Sequence, residues 1–176
     1  MQIPPLGTLI KDEENDWLIS DAFNIAAFNN TPCEFLIEGY EADPHPQDFS
    51  DAISNFITLS SSALKAAEAP VFNYYLDWAR LAKAEGQPCV EIAEPADIWQ
   101  HIQFGNEALV CRRSNGDQAV YVLFECDCDW NQEDGLQIVF KHGNQVSKVG
   151  PFDDFLSNED VYGLPELDKV IYQSPG

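Results

Sequence analysis

The chain has 176 residues, 45% apolar and 12% aromatic, enough apolar side chain for the core of a single domain and too much for a disordered segment. Its 30 acidic and 9 basic side chains give a formal net charge of −21, which argues against binding nucleic acid through its phosphates or anionic lipid surfaces. Met1 to Leu6 carries neither a basic region nor a long apolar run, and no segment approaches the roughly 20 apolar residues of a membrane span. The expectation is a soluble cytoplasmic protein.

In chain order, Thr8-Leu9-Ile10, Trp17 to Ser20, Phe23 to Phe28 and Cys33 to Tyr40 read as strands separated by polar turns, an antiparallel meander over 8–40. The paired prolines of Asp43-Pro44-His45-Pro46 close that region, since proline cannot extend a central strand. A helical segment follows over 48–100. Phe49, Ala52, Ile53, Phe56 and Ile57 make one helical stripe, and Ser60-Ser61-Ser62 opens a shorter element. Pro70 suits the first position of another helix running to Glu85, whose Val71, Phe72, Tyr75, Leu76, Ala79 and Ala82 share a face. Glu94 to Trp99 reads as a further short helix.

Strands return over 107–150 as a second antiparallel meander. Asn115-Gly116 signals a tight turn after Ala108 to Arg113, and His142-Gly143-Asn144 another between the last two strands. From Val120 to Trp130 the even positions are Val, Val, Phe, Cys, Cys and Trp, so period-2 geometry buries them and turns Glu125, Asp127 and Asp129 outward. A four-strand meander is expected to bury Val120, Val122, Phe124, Cys126, Leu136, Ile138 and Phe140. Ser157-Asn158-Glu159-Asp160 has the spacing of a helix cap and opens a short C-terminal helix and tail over 157–176. The fold class is thus α+β: two antiparallel β-meanders with a central helical segment packed against them.

The outward row of carboxylates is the strongest candidate site. Glu125, Asp127, Asp129, Glu133 and Asp134, with Trp130 at the loop end and Asp153 further on, form an acidic edge suited to a basic partner, although Trp130 reads first as a core anchor. The spacing does not match a calcium loop. Cys126 and Cys128 lack the C-x-x-C spacing of a zinc knuckle, and the odd set of five cysteines reads as free thiols. His45, His101 and His142 lie outside any nucleophile, metal or phosphate-loop motif, so no catalytic residue, metal or cofactor is assigned.

The run Ile98-Trp99-Gln100-His101-Ile102, then Glu125-Cys126-x-Cys128-x-Trp130-x-x-Glu133-x-Gly135-Leu136-Gln137-Ile138-Val139-Phe140 and Lys148-Val149-Gly150-Pro151-x-Asp153, resembles an uncharacterised bacterial domain family. Glu38-Gly39-Tyr40 and Tyr74-Tyr75 extend the likeness toward the N-terminus. That family often carries histidines where this chain has Asp134 and Phe155, so a histidine-based site would be incomplete here. The resemblance implies no activity. Charge and motif content favour a non-catalytic acidic binding protein, such as an immunity-type antagonist of a basic toxin; the alternative is a small metal-dependent or hydrolytic enzyme using Asp127, Asp129 and Asp153.

Overall fold

The computed structural model describes residues 1–174, so the last two residues of the predicted tail lie outside it. In chain order the elements are β1 (Gln2–Ile3), β2 (Gly7–Thr8), β3 (Ile10–Asp12), β4 (Trp17–Ile19), β5 (Phe23–Ile25), β6 (Thr31–Ile37), α1 (Gln47–Ile57), α2 (Ser61–Ala84), β7 (Ile102–Arg112), β8 (Val120–Cys128), β9 (Leu136–Lys141), β10 (Gln145–Gly150) and α3 (Asn158–Tyr162). A 3₁₀ turn at Pro95–His101 fills the predicted short helix after α2.

The α+β class holds, with the helical segment packed against the strands of the two meanders. They fuse into one eight-stranded sheet of order β10-β9-β8-β7-β6-β4-β3, with β5 paired to the start of β6. The joint is the pairing of β6 with β7, which is parallel, Glu34 opposite Glu107 and Ile37 opposite Val110. Parallel neighbours need a long crossover, and α1 and α2 supply it while covering one face of the sheet.

Beneath the helices lies a phenylalanine cluster. Phe28 stacks on Phe124 with centroids 4.4 Å apart, and Phe56 meets Phe35, Phe124 and Phe140 edge-on. Every residue of the expected buried face of β8 and β9 sits in the core. The β9–β10 turn docks on α1: the Asn55 side chain donates to the His142 carbonyl at 2.9 Å, and a Cβ on Gly143 would lie 1.9 Å from the Ala52 carbonyl oxygen.

Three expectations need correction. First, α2 is one 24-residue helix with Pro70 inside it, not two elements divided there. Proline leaves the carbonyl of residue 66 without its helical donor, but Ala66 is exposed and water can replace that donor, while Leu64, Ala67, Val71 and Tyr74 anchor both sides. Second, its buried stripe is rotated: Tyr74, Tyr75 and Asp77 are buried, and Leu76 is 43% exposed. Third, β7 begins at Ile102 rather than near Ala108, and the β7–β8 connection is longer than an Asn-Gly turn. The missed start of β7 reflects a bulge between Phe104 and Ala108 that breaks the alternation.

The second face of the sheet is also partly covered. Tyr121, Leu123 and Val139 pack against Leu156 and Phe152, so the segment after β10 folds back over the odd-numbered side of β8. The odd-numbered side of β8 is thus apolar and covered at Tyr121 and Leu123 and acidic at Glu125 and Asp127.

Candidate functional site

Two regions of the predicted acidic row separate. Glu125 and Asp127 open into a shallow groove on the second face of the sheet, with a cavity volume of about 340 Å³. Its floor is apolar, from Leu36, Leu109, Leu123 and Phe152, and its other carboxylates are Glu107 and Asp154. The segment covering the second face ends the groove on one side, and Trp17 of β4 contributes to the other.

The bulge in β7 shapes this groove. A Cβ on Gly105 would lie 2.4 Å from the backbone oxygen of Glu125, so only glycine permits β7 to pass this close to β8. The residues the bulge displaces, Asn106 and Glu107, become groove wall. Burial, then repulsion from Asp127, Asp154 and Glu107, raises the Glu125 carboxyl above its usual range. The four acids thus share one electrostatic site.

The other predicted residues lie elsewhere. Asp129 meets His101 Nδ1 at 2.9 Å, and its backbone N–H donates to the His101 carbonyl. Trp130 is 3% exposed and packs edge-on against Tyr74 and Tyr75, which removes it from any partner-facing surface. Alternation continued two residues past the end of the strand and carried its side chain inward. Glu133 is exposed, and Asp134 accepts from the Asn131 side chain at 3.2 Å. Asp153 accepts from the Nζ of Lys148, which is 2% exposed, and so neutralises a buried cation. Asp127, Asp129 and Asp153, the trio of the enzyme reading, thus occupy three different surroundings. Among the described residues no three His, Cys, Asp or Glu side chains are grouped as metal ligands. All five cysteines are free thiols, and burial lifts Cys128 to about 11, which keeps its sulfur protonated at neutral pH.

Most basic side chains are consumed internally. Lys11, Lys65, Arg80, Arg112, Arg113, Lys141 and Lys148, seven of the 9 bases, pair with acids. Adjacent residues at the end of β7 point to opposite faces: Arg112 binds Asp43 and Asp48 ahead of α1, and Arg113 binds Glu159, Asp160 and Asp168. Arg113 is 3% exposed and fastens the C-terminal segment to the sheet.

A family model described as a domain of unknown function, DUF6985, matches residues 5–156, which is most of the chain. The chain belongs to the DUF6985 family. Comparison with curated proteins and with solved structures returned no match. Within this DUF6985 member every residue of the groove lies inside the matched stretch, whereas α3 and the carboxylates that hold Arg113 lie beyond it. No helix among the described residues is long and apolar enough to cross a membrane.

Reasoning from sequence identified Glu125 and Asp127 but missed Glu107, Asp154 and Trp17. A signal for Glu107 was present. An isolated glycine in a strand marks a bulge or a close backbone approach, and Gly105 is both.

Proposed function

We propose that this DUF6985 member is a non-catalytic acidic binding protein that captures a basic partner in the groove on the second face of its sheet. The observation that carries this reading is the composition of the groove: Glu107, Glu125, Asp127 and Asp154 stand over an apolar floor, and no basic side chain lines it. An extended segment alternating basic and apolar residues complements both features, since its side chains face alternate ways at period 2. The net charge of −21 adds long-range attraction, and opposite potentials steer encounter at rates that fall with salt. Neutralising a basic toxin, as an immunity-type antagonist, is the role this chemistry serves best.

The test uses a synthetic peptide alternating Lys and Leu, with Trp17 fluorescence as the readout. Saturable binding is expected, weakening as salt rises, and the triple variant Glu125→Lys/Asp127→Lys/Asp154→Lys should abolish it. Reversal of Glu85 and Glu91, exposed at and beyond the end of α2 and absent from the groove lining, changes net charge away from the groove and should leave affinity nearly intact. Equal losses in both variants would mean that bulk charge, not the groove, binds the peptide.

A further inference from the structure

A second cavity, of about 160 Å³, lies between α2, the loop after β8 and the C-terminal segment. Tyr74, Trp78, Tyr162 and Tyr172 supply four aromatic walls, and Asp77 and Asp134 supply its charge. We propose that this cavity is a binding site for the quaternary ammonium head group of a small organic cation of the choline type.

Size is the first argument. At roughly 30 Å³ per water the cavity holds about five solvent molecules, room for a trimethylammonium group and the carbon next to it. Shape is the second. The rings of Tyr74 and Tyr172 stand 6.0 Å apart at 48°, an open wedge and not a stacked pair. Cations bind over aromatic faces, drawn by the ring quadrupole, and aromatic cages are the recurrent solution for quaternary ammonium ligands.

Charge selects the sign. Both ionisable groups in the lining are carboxylates, and no Lys, Arg or His lines the cavity. Asp77 is 8% exposed. Burial alone would raise its carboxyl, but hydrogen bonds from Ser174, Tyr172 and Arg80 outweigh that and hold it below the usual range, so it is ionised at neutral pH. Arg80 pairs with Asp77 at 3.0 Å from outside the lining, so among the described residues Asp134 carries the cavity's uncompensated negative charge, which an anionic ligand would meet.

Hydrogen bonding selects the kind of cation. The Tyr74 hydroxyl donates to the Gly135 carbonyl at 3.0 Å and accepts from Asn131 at 2.7 Å, and the Tyr172 hydroxyl donates to Asp77 at 2.9 Å. The Asn131 side-chain oxygen accepts from the N–H groups of Glu133 and Asp134. With these hydroxyls and amides already engaged, a primary ammonium would find its acceptors mainly on the two carboxylates, whereas the four rings present faces that suit an alkylated cation. A quaternary ammonium has no N–H to satisfy.

The experiment is a calorimetric titration of the full chain with choline, with tetramethylammonium, with ethanolamine and with 3,3-dimethylbutan-1-ol, the uncharged isostere of choline. Choline and tetramethylammonium should saturate in the millimolar range, with ethanolamine and the alcohol roughly tenfold weaker or worse. Trp78→Leu keeps apolar volume and removes the ring face, so it should weaken choline by about tenfold while sparing the alcohol. Tyr162→Leu, at a residue 45% exposed, repeats the test where refolding of the core is not at issue; thermal unfolding verifies that both variants fold. Equal affinity for choline and the alcohol would reduce the site to a plain apolar pocket and overturn the proposal. So would equal affinity for ethanolamine, or failure of the folded wild type to saturate with choline at tens of millimolar.

Discussion

One sheet carries two differently built faces. Under α1 and α2 the contacts are almost all carbon on carbon: Phe28, Phe35, Phe56, Phe124 and Phe140 are each no more than 1% exposed, and the helices that cover them present regular apolar stripes. Over the opposite face the cover is thin. It is held by Arg113 on its three carboxylates and by Lys148 on Asp153, with a small apolar cluster around Tyr121, Leu123 and Val139, and it stops short of the acidic groove. The first face is a core that any good packing stabilises. The second is a cover fastened by named charges, leaving an opening lined by four carboxylates.

The largest expected effect separates these faces directly. Phe124→Ala removes a ring stacked on Phe28 at 4.4 Å and should cost about 3–5 kcal/mol in urea unfolding. Leu123→Ala, the neighbouring side chain on the other face, lies 3% exposed under Phe152 and Leu156 and should cost less, about 2–3 kcal/mol, because a thin cover relaxes into the space. Equal costs would erase the distinction.

The contrast also explains what could be read from the chain. The even face of β8, the α1 stripe and the His142-Gly143 turn follow from short-range periodicity and turn chemistry, which a linear sequence displays. The parallel joining of β6 to β7 and the folding back of residues after Gly150 do not. The first depends on how the α1–α2 crossover returns the chain to the sheet, and the second on which distant acids find Arg113, for which a chain with 30 acids offers many equivalent candidates. Glu125 and Asp127 were legible because alternation alone turns them outward; Asp154 was not, since its place in the groove comes from the fold-back. Trp130 shows the limit of alternation, which assigned it to the core and the loop end at once.

A smaller effect should be local rather than global. Arg113→Met removes the one buried cation facing Glu159, Asp160 and Asp168, and a cost of about 2–4 kcal/mol is expected, below that of a fully buried orphan because these carboxylates can regain water. Amide hydrogen exchange should accelerate across 157–172 while β8 and β9 keep their protection. Uniform loss of protection would show that the cover and the sheet unfold as one unit.

The smallest effect lies in the groove, and its sign depends on pH. Burial first, then Asp127, Asp154 and Glu107, raise Glu125, so the folded state holds this proton more tightly than the unfolded chain does. Its contribution to stability is present at acid pH and is lost as pH rises through the native value. Asp117 runs the other way. Burial alone would raise it, but hydrogen bonds from Lys141, the Ala119 N–H and Tyr121 bring it to about 2, so its contribution is present above the ordinary carboxylate range and is lost as pH falls toward about 2. Glu125→Gln should therefore raise stability at neutral pH, by less than about 1 kcal/mol since the groove is open to solvent, and the gain should shrink with added salt and vanish in acid. Asp117→Asn should lower stability at neutral pH and converge on wild type in acid. Thermal melts of both variants across the acid-to-neutral range measure the two slopes, and a Glu125→Gln variant less stable than wild type at neutral pH would mean that its neighbours attract it, contrary to a groove held open by like charge.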